Sequence, residues 1–117
     1  MVLACKEDAH ALGEVSAAAW EELARVTRDL EAAARAAFQF DRINYLALMM
    51  VDPHVHFHVL PRYAEPRELG GVVFEDAAWP KPPDVTAVSD CTPDSSKELP
   101  RACAAAGPRT AAVTALA

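Results

Sequence analysis

Seven residues, His54-Val55-His56-Phe57-His58-Val59-Leu60, constrain this chain more than any other stretch. Histidine alternates strictly with large apolar residues, a period of two that no helix can use. In an extended strand every second side chain shares a face. His54, His56 and His58 are therefore expected on one side, with Val55, Phe57 and Val59 directed into a core. Imidazole is a poor strand former, so three in register, backed by apolar residues, look like a site.

The surrounding sequence supplies elements to support such a strand. Val2 to Cys5 is a short apolar run that reads as a strand, followed by the polar break Lys6-Glu7-Asp8. Ser16 stands where a helix N-cap belongs. From Ala17 to Phe38, Trp20, Leu23, Val26, Leu30, Ala34 and Ala37 follow a 3.6-residue stripe loosened by alanine. Glu21 with Arg25, Arg25 with Asp29, and Glu31 with Arg35 are spaced for pairing on its solvated side. Arg42 to Val51 reads as a second strand. It is broken at Asp52-Pro53, because proline has no N–H for a ladder and biases its predecessor away from helix. The histidine strand follows at once and ends near Pro61, which favours an antiparallel hairpin between the two. Arg62 to Leu69 is charged and contains Pro66, Gly70-Gly71 is a flexible joint, and Val72 to Phe74 reads as a short strand. A long helix packed on an antiparallel sheet gives an α+β fold.

The chain has 117 residues, enough for one ordinary domain. All eight aromatic residues lie between Trp20 and Trp79. Beyond Pro83 the sequence is rich in Ala, Thr, Ser, Pro and Asp without a sustained period. The expected organisation is thus a domain over residues 1–83 and a low-complexity, disordered tail over 84–117. A net charge of -6 argues against non-specific binding to nucleic acid, which needs a basic footprint. Cys5, Cys91 and Cys103 fit neither a disulfide framework nor a zinc pattern, which makes a reducing compartment the expectation. With neither a charged-then-apolar leader nor a long apolar run, no secretion or membrane span is expected, and the location expected is cytoplasmic.

The histidines allow three chemistries. They can be structural groups, hydrogen-bonded in a half-buried sheet. They can be metal ligands, since imidazoles two residues apart on a strand can build a three-histidine zinc site. Or one can be a nucleophile, because imidazole is substantially neutral at pH 7 and offers a lone pair to phosphorus. Its neighbours would then donate hydrogen bonds to non-bridging oxygens or hold its tautomer.

The run His54 to Leu60, followed by Pro61-Arg62, resembles the histidine triad family of nucleotide hydrolases and transferases, whose pattern is His-φ-His-φ-His-φ-φ with φ apolar. All seven positions match. The order of elements over residues 1 to 83 and the segments Arg42 to Leu46 and Gly71 to Pro83 are also similar to bacterial members. The resemblance implies that His56 is the nucleophile at the α-phosphate of a nucleotide, forming a nucleotidyl-histidine intermediate. His54 would orient it, and His58 would contact phosphate oxygens. His10 would be the upstream histidine placed beside the triad, and Asn44 a polar contributor from the neighbouring strand. Related transferases carry glutamine at the third position, so by this resemblance His58 favours hydrolysis, with dinucleoside polyphosphates, nucleoside phosphoramidates and adenylylated conjugates as the substrate class. The triad needs no metal or other cofactor. Family members carry further strands ahead of the segment matching Val2, so the resemblance implies an N-terminally incomplete domain here. The family commonly forms dimers, making a homodimer one expectation. A rival expectation is a non-catalytic nucleotide-binding or interaction module on the same strand, and a third is a three-histidine metal-binding protein.

Overall fold

The computed structural model describes residues 1–86. Apart from its first three residues, the tail expected over 84–117 lies outside them.

Helix α1 spans Ala17–Phe38. Ser16 caps it as expected: its hydroxyl accepts from the Ala19 N–H at 3.2 Å, satisfying one of the donors that a first helical turn leaves open. Glu7 reaches back to accept from the Ser16 N–H at 2.8 Å and from the Ser16 hydroxyl. The bonds from Ser16, its hydroxyl foremost, hold the Glu7 carboxyl below its usual range. The helix closes on Gln39 in the left-handed conformation (φ 49°), whose N–H donates to the Arg35 carbonyl.

Three strands, β1 (Val2–Ala4), β2 (Arg42–Leu46) and β3 (His56–Arg62), form an antiparallel sheet in the order β1-β3-β2. Val2 pairs with His58 and Ala4 with His56 on one edge of β3. Leu46 pairs with His58, Asn44 with Leu60 and Arg42 with Arg62 on the other. Directly opposed residues share a face, so Val2, Ala4, His56, His58, Leu60, Arg62, Asn44, Arg42 and Leu46 belong to one side. Leu3, Val59 and Ile43 belong to the other, and Leu3 and Val59 are fully buried.

Helix α1 covers that second side. Its first half brings Ala19, Leu23 and Val26 to Val55, Cys5, Ala9 and Val15. Its second half brings Ala34 and Phe38 to Phe40, Ile43 and Tyr63. The alanines Ala19, Ala34 and Ala37 are the buried helical residues, flanked by the partly buried Leu23, Val26 and Phe38. Trp20, expected in the buried stripe, is instead 38% exposed. With Leu12, Leu23, Ala24, Thr27, Tyr45 and Phe57 it lines an apolar groove, and Phe57 is accordingly half-buried rather than a core residue.

A two-residue turn joins β4 (Arg67–Leu69) to β5 (Val72–Phe74). Gly70 and Gly71 both have positive φ (58° and 77°), the conformation that matches the twist of a two-residue hairpin. What the sequence presented as a flexible joint is a tight turn, and β4 is a strand that the charged stretch concealed. The hairpin is tied to the sheet by Asp41, which accepts from the Ala64 N–H at 2.9 Å and pairs with Arg67 at 3.3 Å. Phe74 packs edge-on against Phe38.

Two further expectations are corrected. Strand β2 ends at Leu46 rather than Val51, because Val55 turns towards the segment after β1. There the Cys5 N–H donates to the Val55 carbonyl and the Val55 N–H to the Ala9 carbonyl, both at 2.9 Å. Residues 47–51 are left without a partner strand, and Met50 and Val51 are exposed. The expected helical ion pairs are also replaced. Arg25 pairs with Glu22 at 3.2 Å, Glu31 accepts from the Tyr45 hydroxyl at 2.9 Å, and Arg35 stacks over Phe40 and donates to its carbonyl. No helix among the described residues is long and apolar enough to cross a membrane.

Candidate functional site

The side of the sheet away from α1 carries the histidines. His56 is 8% exposed and His58 half-buried. Their rings meet edge-on at 5.0 Å between centroids, with the two Nε2 atoms 3.2 Å apart. This is the juxtaposition that period two demands of neighbouring same-face residues.

The hydrogen bonds fix the tautomers. His56 Nδ1 lies 2.7 Å from the His54 carbonyl oxygen. A carbonyl can only accept, so Nδ1 carries the proton and neutral His56 has its lone pair on Nε2. His58 Nε2 faces that lone pair and must therefore be the donor of the two. The His56 Nε2 lone pair thus faces an N–H donor from His58.

His54 stands ahead of β3 instead of within it. Its Nε2 donates to the Cys5 carbonyl at 2.6 Å, while its N–H donates to Asp52 Oδ1 at 3.0 Å. The residue acts on His56 through its backbone carbonyl, and its ring is locked to the loop after β1. The three rings therefore do not converge as one ligand set. His10 lies beside the first histidine, its ring edge-on to His54 at 6.5 Å, and is exposed with Nε2 3.4 Å from Asp8 Oδ1. Among the described residues Asp8, His10 and His54 bring ligand atoms within 4.8 Å of one another, a different grouping from the three-histidine set raised by the sequence.

Asn44 shares the histidine face but is engaged elsewhere. Its Oδ1 accepts from Arg62 Nη1 at 2.6 Å and its Nδ2 donates to the Ile43 carbonyl at 3.3 Å. Arg62, 6% exposed, continues the alternation His56, His58, Leu60 on the same side. Its guanidinium also donates to both oxygens of Asp76 and, at 2.9 Å, to the Lys81 carbonyl. The Arg62 hydrogen bond foremost holds the Asp76 carboxyl below its usual range. This fork draws the segment after β5 across the sheet, where an open pocket of about 290 Å³ is lined by Arg42, Asn44, Arg62, Trp79, Pro80, Lys81 and Pro82.

Sequence reasoning did not find Arg62, Asp76, Trp79 or Lys81 as members of this face. The usable signal was at Arg62 alone, the even-numbered position after His58 and Leu60. No protein-family model matches the chain, and no curated protein matches it in sequence.

Proposed function

We propose that the chain is a nucleotide hydrolase of histidine triad type, with His56 as the nucleophile. The observation that carries this reading is the His56 Nδ1–H bond to the His54 carbonyl, which leaves the Nε2 lone pair facing His58. Attack forms a bond between Nε2 and the α-phosphorus of the substrate. The bond from phosphorus to the bridging atom breaks, and its electron pair leaves with the departing group. Positive charge develops on the His56 ring and is stabilised through Nδ1–H by the His54 carbonyl. His58 Nε2–H, released from His56, donates to a non-bridging oxygen as charge accumulates there. Water then attacks phosphorus, the N–P pair returns to Nε2, and one water proton is released. Splitting one displacement in two is the advantage of such covalent catalysis.

The test is incubation with diadenosine tetraphosphate labelled at the α-phosphate. Acid-labile, alkali-stable label on the protein is expected, together with release of AMP, and His56→Ala should abolish both. Label retained by His56→Ala, or turnover without any dependence on His56, would overturn the proposal. Binding of the nucleotide with neither label nor turnover would turn the reading to a non-catalytic module.

A further inference from the structure

The cavity beside the triad is chemically unlike the rest of the sheet. Three cationic residues line it, Arg42, Arg62 and Lys81, along with one large aromatic, Trp79, and no acidic residue. Arg62 is neutralised by Asp76 and has its donors committed, so it builds the wall. Lys81 forms no ion pair among the described residues. Arg42 gives one donor to the Asp41 carbonyl at 2.9 Å and retains others. Lys81, and an exposed Arg42 that shares the Asp41 carboxylate with Arg67, stand beside an indole and suit an anion that carries a planar ring.

Register places this cavity relative to the nucleophile. Arg42, Asn44 and Arg62 occupy the same side of the sheet as His56 and His58. Asn44 stands opposite Leu60, two residues beyond His58, and Arg42 opposite Arg62, four beyond it. At a strand rise of about 3.3 Å per residue the cavity begins about 7 Å along the strand from His58 and about 13 Å from His56, and it ends about 13 Å and about 20 Å from them. A polyphosphate chain ending in a nucleoside covers such a span.

We propose that the cavity between β2, the end of β3 and the Trp79–Pro82 segment holds the leaving nucleotide, its phosphates against Arg42 and Lys81 and its base against Trp79. This rests on the reading of His56 as nucleophile. It assigns the chain a preference for substrates whose leaving group is itself a nucleoside polyphosphate.

Two measurements on the full chain test it. The first reads Trp79 emission in a Trp20→Phe background, since the chain has two tryptophans, as ATP is added. Saturable quenching is expected, and Arg42→Ala with Lys81→Ala should weaken it about tenfold or more, the effect of losing charge-assisted contacts. No quenching, or an apparent Kd indifferent to both substitutions, overturns the assignment whether or not the chain is an enzyme. The second compares diadenosine tetraphosphate, which releases ATP, with adenosine 5′-phosphoramidate, whose ammonia leaving group cannot reach the cavity. The double variant should raise KM about tenfold for the first and leave the second unchanged. Equal effects on both overturn the assignment. Failure of the wild-type chain on both substrates sinks the nucleophile reading instead, and the fluorescence measurement then decides the cavity.

Discussion

Asp76→Leu should be the most damaging single change outside the hydrophobic core. It removes two acceptors from a guanidinium that is 6% exposed and leaves Arg62 only the Asn44 oxygen and the Lys81 carbonyl. Stranding one partner of a buried ion pair costs about 3–5 kcal/mol. Arg62→Met is the milder partner, at about 2–3 kcal/mol, because the Asp76 carboxylate still accepts from the Ala78 N–H at 3.2 Å. The double variant replaces both charges with apolar groups and should lie within about 1–2 kcal/mol of the wild type. Urea unfolding at pH 7 reads these values. With a slope of about 1 kcal/mol per molar urea, the Asp76→Leu midpoint should fall by about 3 M or more. A double-mutant cycle should return a coupling of about 5 kcal/mol, the sum of the single costs less that of the double variant. Acid provides a second reading: a carboxyl held lower in the folded state adds stability above its unfolded value of about 3.9, lost as pH falls through the folded value. The Arg62→Met chain should show less of that loss. If the two single costs simply add in the double variant, the guanidinium fork is not what holds the Asp76–Lys81 segment to the sheet.

Three other outcomes follow from the fold. Ser16→Ala should destabilise by about 1 kcal/mol in thermal or urea unfolding, because the Ala19 N–H loses its acceptor. Gly71→Ala should cost about 1–2 kcal/mol from its φ of 77° alone, since nothing lies within 4 Å of an added Cβ; an unchanged midpoint would refute the tight turn. Tyr45 and Tyr63, the two tyrosines, both ionise above the ordinary phenol value, burial being the first cause for each. Absorbance at 295 nm should therefore show folded protein resisting ionisation above pH 10, and their stabilising contribution should decline as pH rises further.

Local periodicity carried part of this molecule unaided. The alternation through His56 and His58 could only place both rings on one side of a strand, because side-chain direction there repeats every two residues. Ser16 ahead of an alanine-rich 3.6-residue pattern set the start of α1, and the antiparallel pairing of β2 with β3 needed only two apolar runs and a break. Residues whose partners are remote behaved differently. The run Ala47 to Val51 has strand composition but no strand beside it, because Val55 bonds to Cys5 and Ala9 instead. Glu31 and Arg35 have the spacing to pair with each other, yet Tyr45 and Phe40 take them.

The site divides along the same line. A single strand was enough to bring His56 Nε2 and His58 Nε2 to 3.2 Å. Why the lone pair lies on Nε2 rather than Nδ1 depends on a carbonyl position that only folding supplies. Asn44 could be placed on the histidine face, but its engagement by Arg62, and Arg62's own hold on residues 14 to 19 positions further along, arise where distant segments cross. Periodicity records which face a residue takes; it carries no record of what arrives from elsewhere in the chain to cover that face.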